Sequence, residues 1–464
     1  MPELPEVETV VQTLKHQMGN PVIKSVEVIY PRIIDNKTVD EFSKSLENQK
    51  FESYGRRGKF LLFYLTDYLL VAHLRMEGKF YYYKQNEQPA KHTHLVFQLD
   101  NGQLHYNDVR KFGRFYLYRK GEEPTCLNKL GFEPFDEALN TAYLKRYCRN
   151  NKTPIKTMLL DHSMICGIGN IYADEICYRS SLNPLRPACF LSENDWQNVI
   201  EQTREVLGEA IKAGGTTIRS YTSSLGVTGL FQQQLYVHTQ QVCQCGNPIT
   251  KIRVGGRGTY YCQQCQKDRN IVIGLTGTIG SGKSTVREII SEQYPVFSCD
   301  DANSEILNKE ETIKALAEIM GCQPGIVDKK YIADVIFADS EMKKKVEEYL
   351  HGAILKEMKN WMEENKESRY LFAEVPLLFE AQWNRMFDYN VLVACPEEII
   401  VERLKNDRGM SQQQIEARML SQMPTEQKKQ LSDYVIINDS SLSKLHNNVE
   451  KLLQFIVKLD TNRT

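Results

Sequence analysis

The sequence predicts a multidomain protein: an amino-terminal β-sandwich, a helical lobe, a cysteine-bearing hairpin, and a carboxy-terminal α/β domain with a doubly wound parallel sheet. At 464 residues the chain is too long for one hydrophobic core. Its hydrophobic period changes from two to helical, and then to strands alternating with helices. The charge reverses as well: residues 1–270 hold 34 Lys and Arg against 28 Asp and Glu, whereas residues 271–464 hold 24 against 31. Two units with different partners are expected, and the basic unit is the candidate for a polyanion such as nucleic acid.

The first domain is expected over residues 1–130. It opens with a helix, because Pro5 suits a first helical position, apolar residues follow at helical spacing, and Gly19 terminates the pattern. Between Val22 and Tyr118 six segments rich in β-branched and aromatic residues alternate with period two, which predicts an antiparallel sandwich.

A helical domain is expected over residues 131–234. Its period is helical between Asp136 and Ala213, and Ser192 is the expected cap of its last helix. Within it, "GIGNIYADE" predicts a glycine-rich turn that enters a helix at Asn170. Backbone N–H groups at such a helix start are suited to bind phosphate.

Residues 235–270 are expected to form a small hairpin that holds a metal. Cys243, Cys245, Cys262 and Cys265 supply four sulfurs, with sixteen residues between the two pairs. This set fits one tetrahedral structural zinc ion, which would stabilise a hairpin too small for a core of its own. The first pair has one intervening residue where two are usual, so a weakened or partly occupied site is the competing hypothesis.

The last domain, over residues 271–464, begins with a phosphate-binding loop. The motif Gly277–Ser284, "GTIGSGKS", follows an apolar strand and precedes a helix. Its glycines let backbone N–H groups surround phosphates, Lys283 reaches the β and γ phosphates of a nucleotide, and Ser284 can ligate Mg²⁺. The loop alone is compatible with a kinase, a GTPase or a motor ATPase. The predicted nucleotide-binding residues in this stretch are Gly277, Gly280, Ser281, Gly282, Lys283, Ser284 and Thr285. About 16 residues later, Asp300 is placed at the end of the second strand, where a base could face an acceptor hydroxyl.

Nine ordered segments of the first 268 residues resemble formamidopyrimidine-DNA glycosylases. They are "PELPEVETV", "GRRGKFLLF", "HLRMEG", "KHTHLVF", "DVRKFGRF", "GIGNIYADE", "NPLRPA", "GGTTIRSY" and "GRGTYYCQQCQ". The resemblance implies a helix-two-turn-helix lobe and a bifunctional glycosylase and lyase that acts on damaged double-stranded DNA. Leu4 stands where the related endonuclease VIII group typically has glycine, which favours oxidised purines over oxidised pyrimidines.

The resemblance also implies catalytic roles. Pro2, exposed as a free amine once Met1 is removed, would attack the anomeric carbon of the sugar, and Glu3 would assist ring opening. Lys59 matches the proton donor for β-elimination, and Arg257 matches the residue linked to δ-elimination.

Six further residues match the DNA contacts of the same family. Three of them, Met76, Arg110 and Phe112, match residues that fill the gap left by the extruded nucleotide. The other three, His92, Lys152 and Asn170, match contacts to the DNA backbone.

Residues 271 to about 455 resemble dephospho-CoA kinase through "AEVPLLFE" and "RGMSQQQIEARMLSQMPTEQK". The family more often has aspartate at the position of Glu374, and His-Pro at the position of His351-Gly352. The resemblance implies ATP-dependent phosphorylation of the ribose 3′-hydroxyl of dephospho-CoA. In that reaction Asp300 is the base, and Arg403 and Arg418 are candidates for the transferring phosphate.

Endonuclease VIII-like specificity for oxidised pyrimidines is the alternative for the first half of the chain, and two other functions also stay open at this point. One is a single ATP-driven DNA-repair machine, which predicts ATPase activity that DNA stimulates. The other is a DNA-binding protein without catalysis, against which the joint presence of Pro2, Glu3 and Lys59 counts. No signal peptide or membrane span is expected, so the sequence predicts a cytoplasmic monomer with no membrane partner.

Overall fold

The computed structural model describes residues 2–216 and 231–461. Within the quoted segment "GGTTIRSY", the residues from 217 onward therefore lie outside the described residues. None of the described helices combines the length and the apolar composition that a membrane crossing requires.

The first domain is a sandwich of two four-stranded antiparallel sheets, ordered β1-β6-β7-β5 and β2-β3-β4-β8. Helix α1, which ends at Gly19 as expected, packs its apolar face into the core between them. The bounds are α1 Leu4–Met18, β1 Ile23–Val28, α2 Val39–Leu46, β2 Phe51–Arg57, β3 Phe60–Leu65, β4 Tyr68–His73, β5 Lys79–Tyr83, β6 Thr93–Leu99, β7 Gly102–Asn107 and β8 Arg114–Arg119.

Strands β2 and β7 were not expected from the sequence. The β2 segment "FESYGRR" and the β7 segment "GQLHYN" lack a clean apolar and polar alternation. Both are held by their neighbours, since β2 pairs with β3, and β7 lies between β6 and β5. Tertiary pairing therefore overrides a weak local pattern.

The helical lobe follows, and Ser192 caps its last helix through Asp195 N–H as expected. Its helices are α3 Thr141–Cys148, α4 Ile155–Leu159, α5 Asn170–Arg179 and α6 Glu193–Lys212. The hairpin consists of β9 Thr250–Val254 and β10 Arg257–Tyr261.

The carboxy-terminal domain contains the predicted parallel sheet, in the order β12-β13-β11-β14-β15. Strand β11 lies at the centre, so the loop after it opens at the point where the strand order reverses, the usual ligand crevice of such sheets. The strands are β11 Ile271–Gly277, β12 Val296–Ser298, β13 Tyr370–Glu374, β14 Tyr389–Ala394 and β15 Tyr434–Ile437. The helices are α7 Lys283–Ser291, α8 Cys299–Ile306, α9 Glu310–Met320, α10 Lys329–Ala338, α11 Ser340–Glu364, α12 Glu397–Arg408, α13 Gln412–Leu420, α14 Thr425–Leu431 and α15 Leu442–Asp460.

Candidate active sites

The start of the chain is buried between the sandwich and the helical lobe. Pro2 is buried, and Glu3 caps α1 in a reciprocal arrangement in which Glu3 N–H donates to Glu6 Oε2 at 2.8 Å. Glu6 also accepts from the Tyr172 hydroxyl at 2.6 Å and from Thr216 N–H at 2.8 Å. The side chain of Glu6 therefore ties the first turn of α1 to the helical lobe.

The glycine-rich turn before α5 holds the Glu3 carboxylate. Ile171 N–H, in the first turn of α5, donates to Glu3 Oε1 at 3.2 Å. A Cβ added at Gly169 would lie 2.1–2.4 Å from the Glu3 carboxyl atoms, so only glycine fits there. This helix start was expected to offer its N–H groups to phosphate, but one of them is already occupied by Glu3 because the two elements pack directly together.

Burial shifts the pKa values of both Glu3 and Lys59. Burial raises the pKa of Glu3, although the charge of Lys59 opposes the rise. Burial lowers the pKa of Lys59, which is 4% exposed, and the carboxylates of Glu3 and Glu6 oppose that shift. A carboxyl group that holds its proton more readily, beside an amine that releases its proton more readily, is a pair suited to proton transfer.

Arg110 and Phe112 lie on a loop that one aspartate organises. The Asp108 side chain is fully buried and accepts from the backbone N–H groups of Arg110, Phe112 and Gly113 at 2.8–3.0 Å. Arg110 stacks over the Phe112 ring at 4.8 Å, and this ring is 46% exposed. An exposed apolar ring under a cation is poised to contact a base. The role of Asp108 was missed, although it stands at the head of the quoted segment "DVRKFGRF".

The loop that carries Met76 and the loop that carries Phe112 both pack against Tyr106. A Cβ at Gly78 would come within 2.3 Å of the Tyr106 hydroxyl, and one at Gly113 within 1.7 Å. Tyr106 is buried between the two loops and thus fixes their spacing. Met76 itself is half-buried. The three residues predicted to fill the gap are therefore presented by two loops around one tyrosine.

We expect Asp108→Asn to weaken the binding of a lesion-containing duplex by about tenfold or more, since an amide cannot accept all three N–H groups that hold the loop. Fluorescence anisotropy measures the Kd. Asp100→Asn is the matched control, because Asp100 accepts from Val22 N–H in an exposed position of the same sandwich. Equal affinities of the two variants would contradict this role of Asp108.

A buried charge cluster fixes the hairpin on the helical lobe. Lys156 Nζ lies 2.7 Å from Asp174 Oδ1 and donates to Gly258 O at 2.9 Å. His238 Nδ1 lies 2.7 Å from Asp174 Oδ2. Lys156 and Asp174 are completely buried, and sequence reasoning missed the cluster because isolated charges carry no spacing signal. The hairpin carries Arg257, which is exposed at the start of β10. The positive charge of Arg257 contributes to lowering the pKa of Lys59.

The three residues expected at the DNA backbone lie on three different segments of the chain. Asn170 Nδ2 donates to Gly258 O at 2.9 Å, so one of its two amide N–H groups is occupied by the hairpin. His92 precedes β6, and its carbonyl accepts from Asp108 N–H at 3.0 Å. Lys152 lines a cavity of about 510 Å³ between the helical lobe and α15, together with Lys458.

The four hairpin cysteines converge despite the shortened first pair. Their Sγ atoms all lie within 4.8 Å of one another. Cys243 and Cys265 are 3.7 Å apart, and Cys245 and Cys262 are 3.6 Å apart. Sulfurs bound to one zinc at about 2.3 Å in a tetrahedron are separated by about 3.8 Å. The donor set therefore fits zinc.

We expect purified protein to hold about one equivalent of zinc and Cys262→Ser to lose it, together with tight DNA binding, since the hairpin depends on the metal for its fold. Elemental analysis and a duplex-binding assay measure the two effects. Cys322→Ser, in the other half of the chain, is the control. If the protein held stoichiometric metal while all four thiols reacted freely, these cysteines would not be the zinc ligands.

The phosphate-binding loop adopts its expected place between β11 and α7. Lys283 Nζ donates to Gly277 O at 2.8 Å and to Thr278 O at 3.0 Å, so it spans the loop. Burial lowers the pKa of Lys283 to about 8, against the opposing charge of Glu374. Asn438 Nδ2 donates to Ser281 O at 2.8 Å and braces the loop from the end of β15. Sequence reasoning did not identify Asn438.

One cleft of about 820 Å³ brings the predicted kinase residues together. Its lining includes Gly280, Gly282, Lys283, Ser284, Thr285, Asp300, Arg403 and Arg418. Two predicted residues do not line the cleft: Ser281 is fully buried within the loop, and Gly277 packs against the carbonyl oxygen of Val393. Glu374 also lines the cleft, and burial raises its pKa while Arg287 opposes the rise. Arg408 is a further cation there that the sequence did not single out.

Asp300 lies in the cleft but not on a strand. Strand β12 ends at Ser298, whose hydroxyl accepts from Asp301 N–H and so starts α8 at once. The prediction that Asp300 ends the second strand was therefore wrong, because Asp300 belongs to the helix that follows this strand. Asp300 stands in the first turn of α8, whereas Asp301 pairs with Arg287 at 2.9 Å.

Four family models match successive parts of the chain. They describe the formamidopyrimidine-DNA glycosylase N-terminal domain at residues 1–115 and its H2TH domain at residues 130–222. A zinc finger found in FPG and IleRS matches residues 244–267, and dephospho-CoA kinase matches residues 271–444. The hairpin is thus a structural zinc site, and the last domain is an ATP- and Mg²⁺-dependent kinase domain.

Known proteins resemble the first half closely. The formamidopyrimidine-DNA glycosylase of Oceanobacillus iheyensis is 46% identical over 276 residues, which cover 58% of this chain and 99% of that protein. The enzyme of Exiguobacterium sp. is 47% identical over 274 residues, covering 58% and 100%. A crystal structure of wild-type Lactococcus lactis Fpg with DNA containing N7-benzyl-Fapy-dG is 37% identical, with a TM-score of 0.54, and covers 57% of this chain and all of that one. The chain therefore belongs to the formamidopyrimidine-DNA glycosylase family, and it carries a dephospho-CoA kinase domain fused behind the zinc finger.

Proposed function

We propose that the first half excises oxidised purines, 8-oxoguanine and formamidopyrimidines, from duplex DNA through a Schiff base on Pro2. One observation carries the proposal. Glu3 Oε2 is buried without a hydrogen-bond partner among the described residues, directly beside Pro2, on a carboxyl group whose pKa is raised by burial. A protonated Oε2 would have its proton free for an incoming ligand.

The reaction begins with the Pro2 nitrogen. Its lone pair forms a bond to C1′ of the damaged nucleotide, and the bond from C1′ to the base breaks. The base leaves with the bonding electrons and takes up the proton that the Pro2 nitrogen loses. The Glu3 proton passes to O4′ as the bond between C1′ and O4′ opens, which leaves an iminium between Pro2 and C1′. Lys59, whose pKa is lowered by burial, then serves proton transfer in β-elimination, and Arg257 serves δ-elimination.

The remaining residues would bind the DNA. Met76, Arg110 and Phe112 would enter the space left by the extruded nucleotide, which the exposure of the Phe112 ring supports. His92, Lys152 and Asn170 would contact backbone phosphates. For Asn170, the second N–H of its amide remains for that contact.

We propose that the second half transfers the γ-phosphate of ATP to the ribose 3′-hydroxyl of dephospho-CoA. Asp300 would accept the hydroxyl proton as the new O–P bond forms and the bond to ADP breaks. Lys283, Arg403 and Arg418 line the same cleft and would stabilise the phosphate charge. Mg²⁺, which Ser284 would help to hold, neutralises phosphate charge when it is bound.

We expect Asp300→Asn to lower kcat for dephospho-CoA phosphorylation by about 10²-fold or more, the range for loss of a general base. Asp301→Asn should change kcat by less than about threefold, because Asp301 is 69% exposed and pairs with Arg287. A coupled ADP-release assay measures both. If both substitutions lowered kcat equally, Asp300 would not be the catalytic base.

The proposal is tested with a panel of lesions and one nucleotide assay. Borohydride should trap the protein on duplexes that contain 8-oxoguanine opposite cytosine, and far less on duplexes that contain an oxidised pyrimidine. Preferred trapping on the pyrimidine lesion would support the endonuclease VIII-like alternative. Separately, ATP turnover should require dephospho-CoA. ATP hydrolysis that depends on lesion DNA would favour a single ATP-driven repair machine.

A further inference from the structure

The kinase core contains residues of the helical lobe. Cys189 and Phe190, from the loop between α5 and α6, belong to the same buried cluster as β11, β14 and α15 of the kinase domain. Phe190 is fully buried, and its ring meets the Tyr389 ring edge-on with centroids 5.8 Å apart. The apolar packing between the helical lobe and the kinase domain therefore extends beyond the residues of the junction itself.

An ion pair lies beneath this contact. Arg186 of the helical lobe and Asp388 at the start of β14 are 2.9 Å apart, with side chains only 1% and 3% exposed. Asp388 also lies 3.0 Å from Arg269 and accepts from Val272 N–H at 2.8 Å. The same carboxylate therefore joins the helical lobe, the junction and the first kinase strand. A buried charge deprived of its partner is strongly destabilising.

Polar contacts surround the buried centre. The Tyr389 hydroxyl donates to Asn150 Oδ1 at 2.8 Å, and Arg149 donates to the Ser432 carbonyl. Arg369 lies 3.0 Å from Asp268, just before the junction. An apolar centre with a polar rim is the anatomy of a stable protein interface.

We propose that the helical lobe is a permanent structural partner of the kinase domain, and that the two halves unfold as one cooperative unit. The docking face on the kinase side consists of the start of β14, the amino end of β11 and the turn between α14 and β15. Its occupant is residues 145–195 of the same chain. The inference concerns folding alone, so it does not depend on either catalytic proposal.

Ligand linkage separates a cooperative unit from two independent halves. A ligand that binds only the native kinase domain stabilises everything that unfolds with it. A non-hydrolysable ATP analogue should therefore raise the melting temperature of the whole chain in one calorimetric transition. It should also slow hydrogen exchange of the buried amides in α6, which does not line the nucleotide cleft, wherever that exchange requires global opening.

The test uses the full chain and a variant that alters the polar groups of Asp388 and Tyr389 at the interface. The double variant Asp388→Asn with Tyr389→Phe should lower the melting temperature or split the transition, and the nucleotide should no longer protect α6. Glu310→Gln, which removes an exposed charge paired with Lys314, should behave as the unaltered chain. Two separate transitions in the unaltered chain, with nucleotide raising only one, would overturn the inference. If the double variant fails to fold, Tyr389→Phe alone and the measurements on the unaltered chain still decide.

Discussion

Blocking the amine of Pro2 is expected to abolish borohydride trapping on 8-oxoguanine duplex. An uncleaved peptide placed before Pro2 turns its nitrogen into a tertiary amide, whose lone pair is delocalised and cannot attack C1′. Gel electrophoresis after borohydride treatment measures the covalent adduct. The expected loss is complete, because no other group has been assigned to this covalent step.

The same peptide placed at the carboxyl end is the matched control and should leave trapping unchanged. Duplex binding of the blocked protein should persist, since the loops held by Asp108 are unaltered. Kinase activity should persist as well. Trapping at full yield with the blocked amino end would refute Pro2 as the nucleophile.

Lys283→Ala is expected to lower dephospho-CoA phosphorylation by about 10²- to 10³-fold, the cost of removing one preorganised charge from a transition state. Lys283 is held across the loop by two carbonyls, and an alanine at this position supplies no charge there. Steady-state kinetics in ATP measure the loss. Lys314→Ala is a control, since Lys314 does not line the cleft and pairs with the exposed Glu310 at 2.6 Å.

The pH dependence gives a second view of Lys283. Its pKa of about 8 lies below the ordinary lysine value. In the free enzyme the Lys283 amine is therefore charged at pH 7, and it loses that charge as the pH rises through about 8. Because the charged form meets the phosphates, kcat/KM for ATP should fall above pH 8, and this limb should vanish in Lys283→Ala. Glycosylase kinetics should change by less than about threefold in that variant, because cooperative folding does not require catalytic coupling. A larger effect would show that the fusion transmits a signal.

The sequence predicted what local patterns and motifs encode. Helix α1, the helix that begins at Asn170, the phosphate-binding loop and the parallel sheet all follow from period, capping and glycine spacing. It did not predict β2, because that strand is defined by its pairing with β3. It also missed the Lys156 cluster and Asn438, since each acts on a segment distant in the chain.

The junction shows the same limit most clearly. The charge reverses near Ile271, where the match to the dephospho-CoA kinase model begins. Arg186 and Asp388 lie 202 positions apart in the sequence, however, and neither stands in a pattern that predicts an ion pair. The close docking of the halves therefore becomes visible only in three dimensions.

We infer that one molecule contains both working active sites. The most direct test isolates the covalent protein–DNA adduct after borohydride trapping and then assays that purified adduct for phosphorylation of dephospho-CoA. We expect the adduct to phosphorylate dephospho-CoA at a rate per molecule close to that of the free protein. An adduct without kinase activity, with all of the activity in the untrapped fraction, would contradict the account.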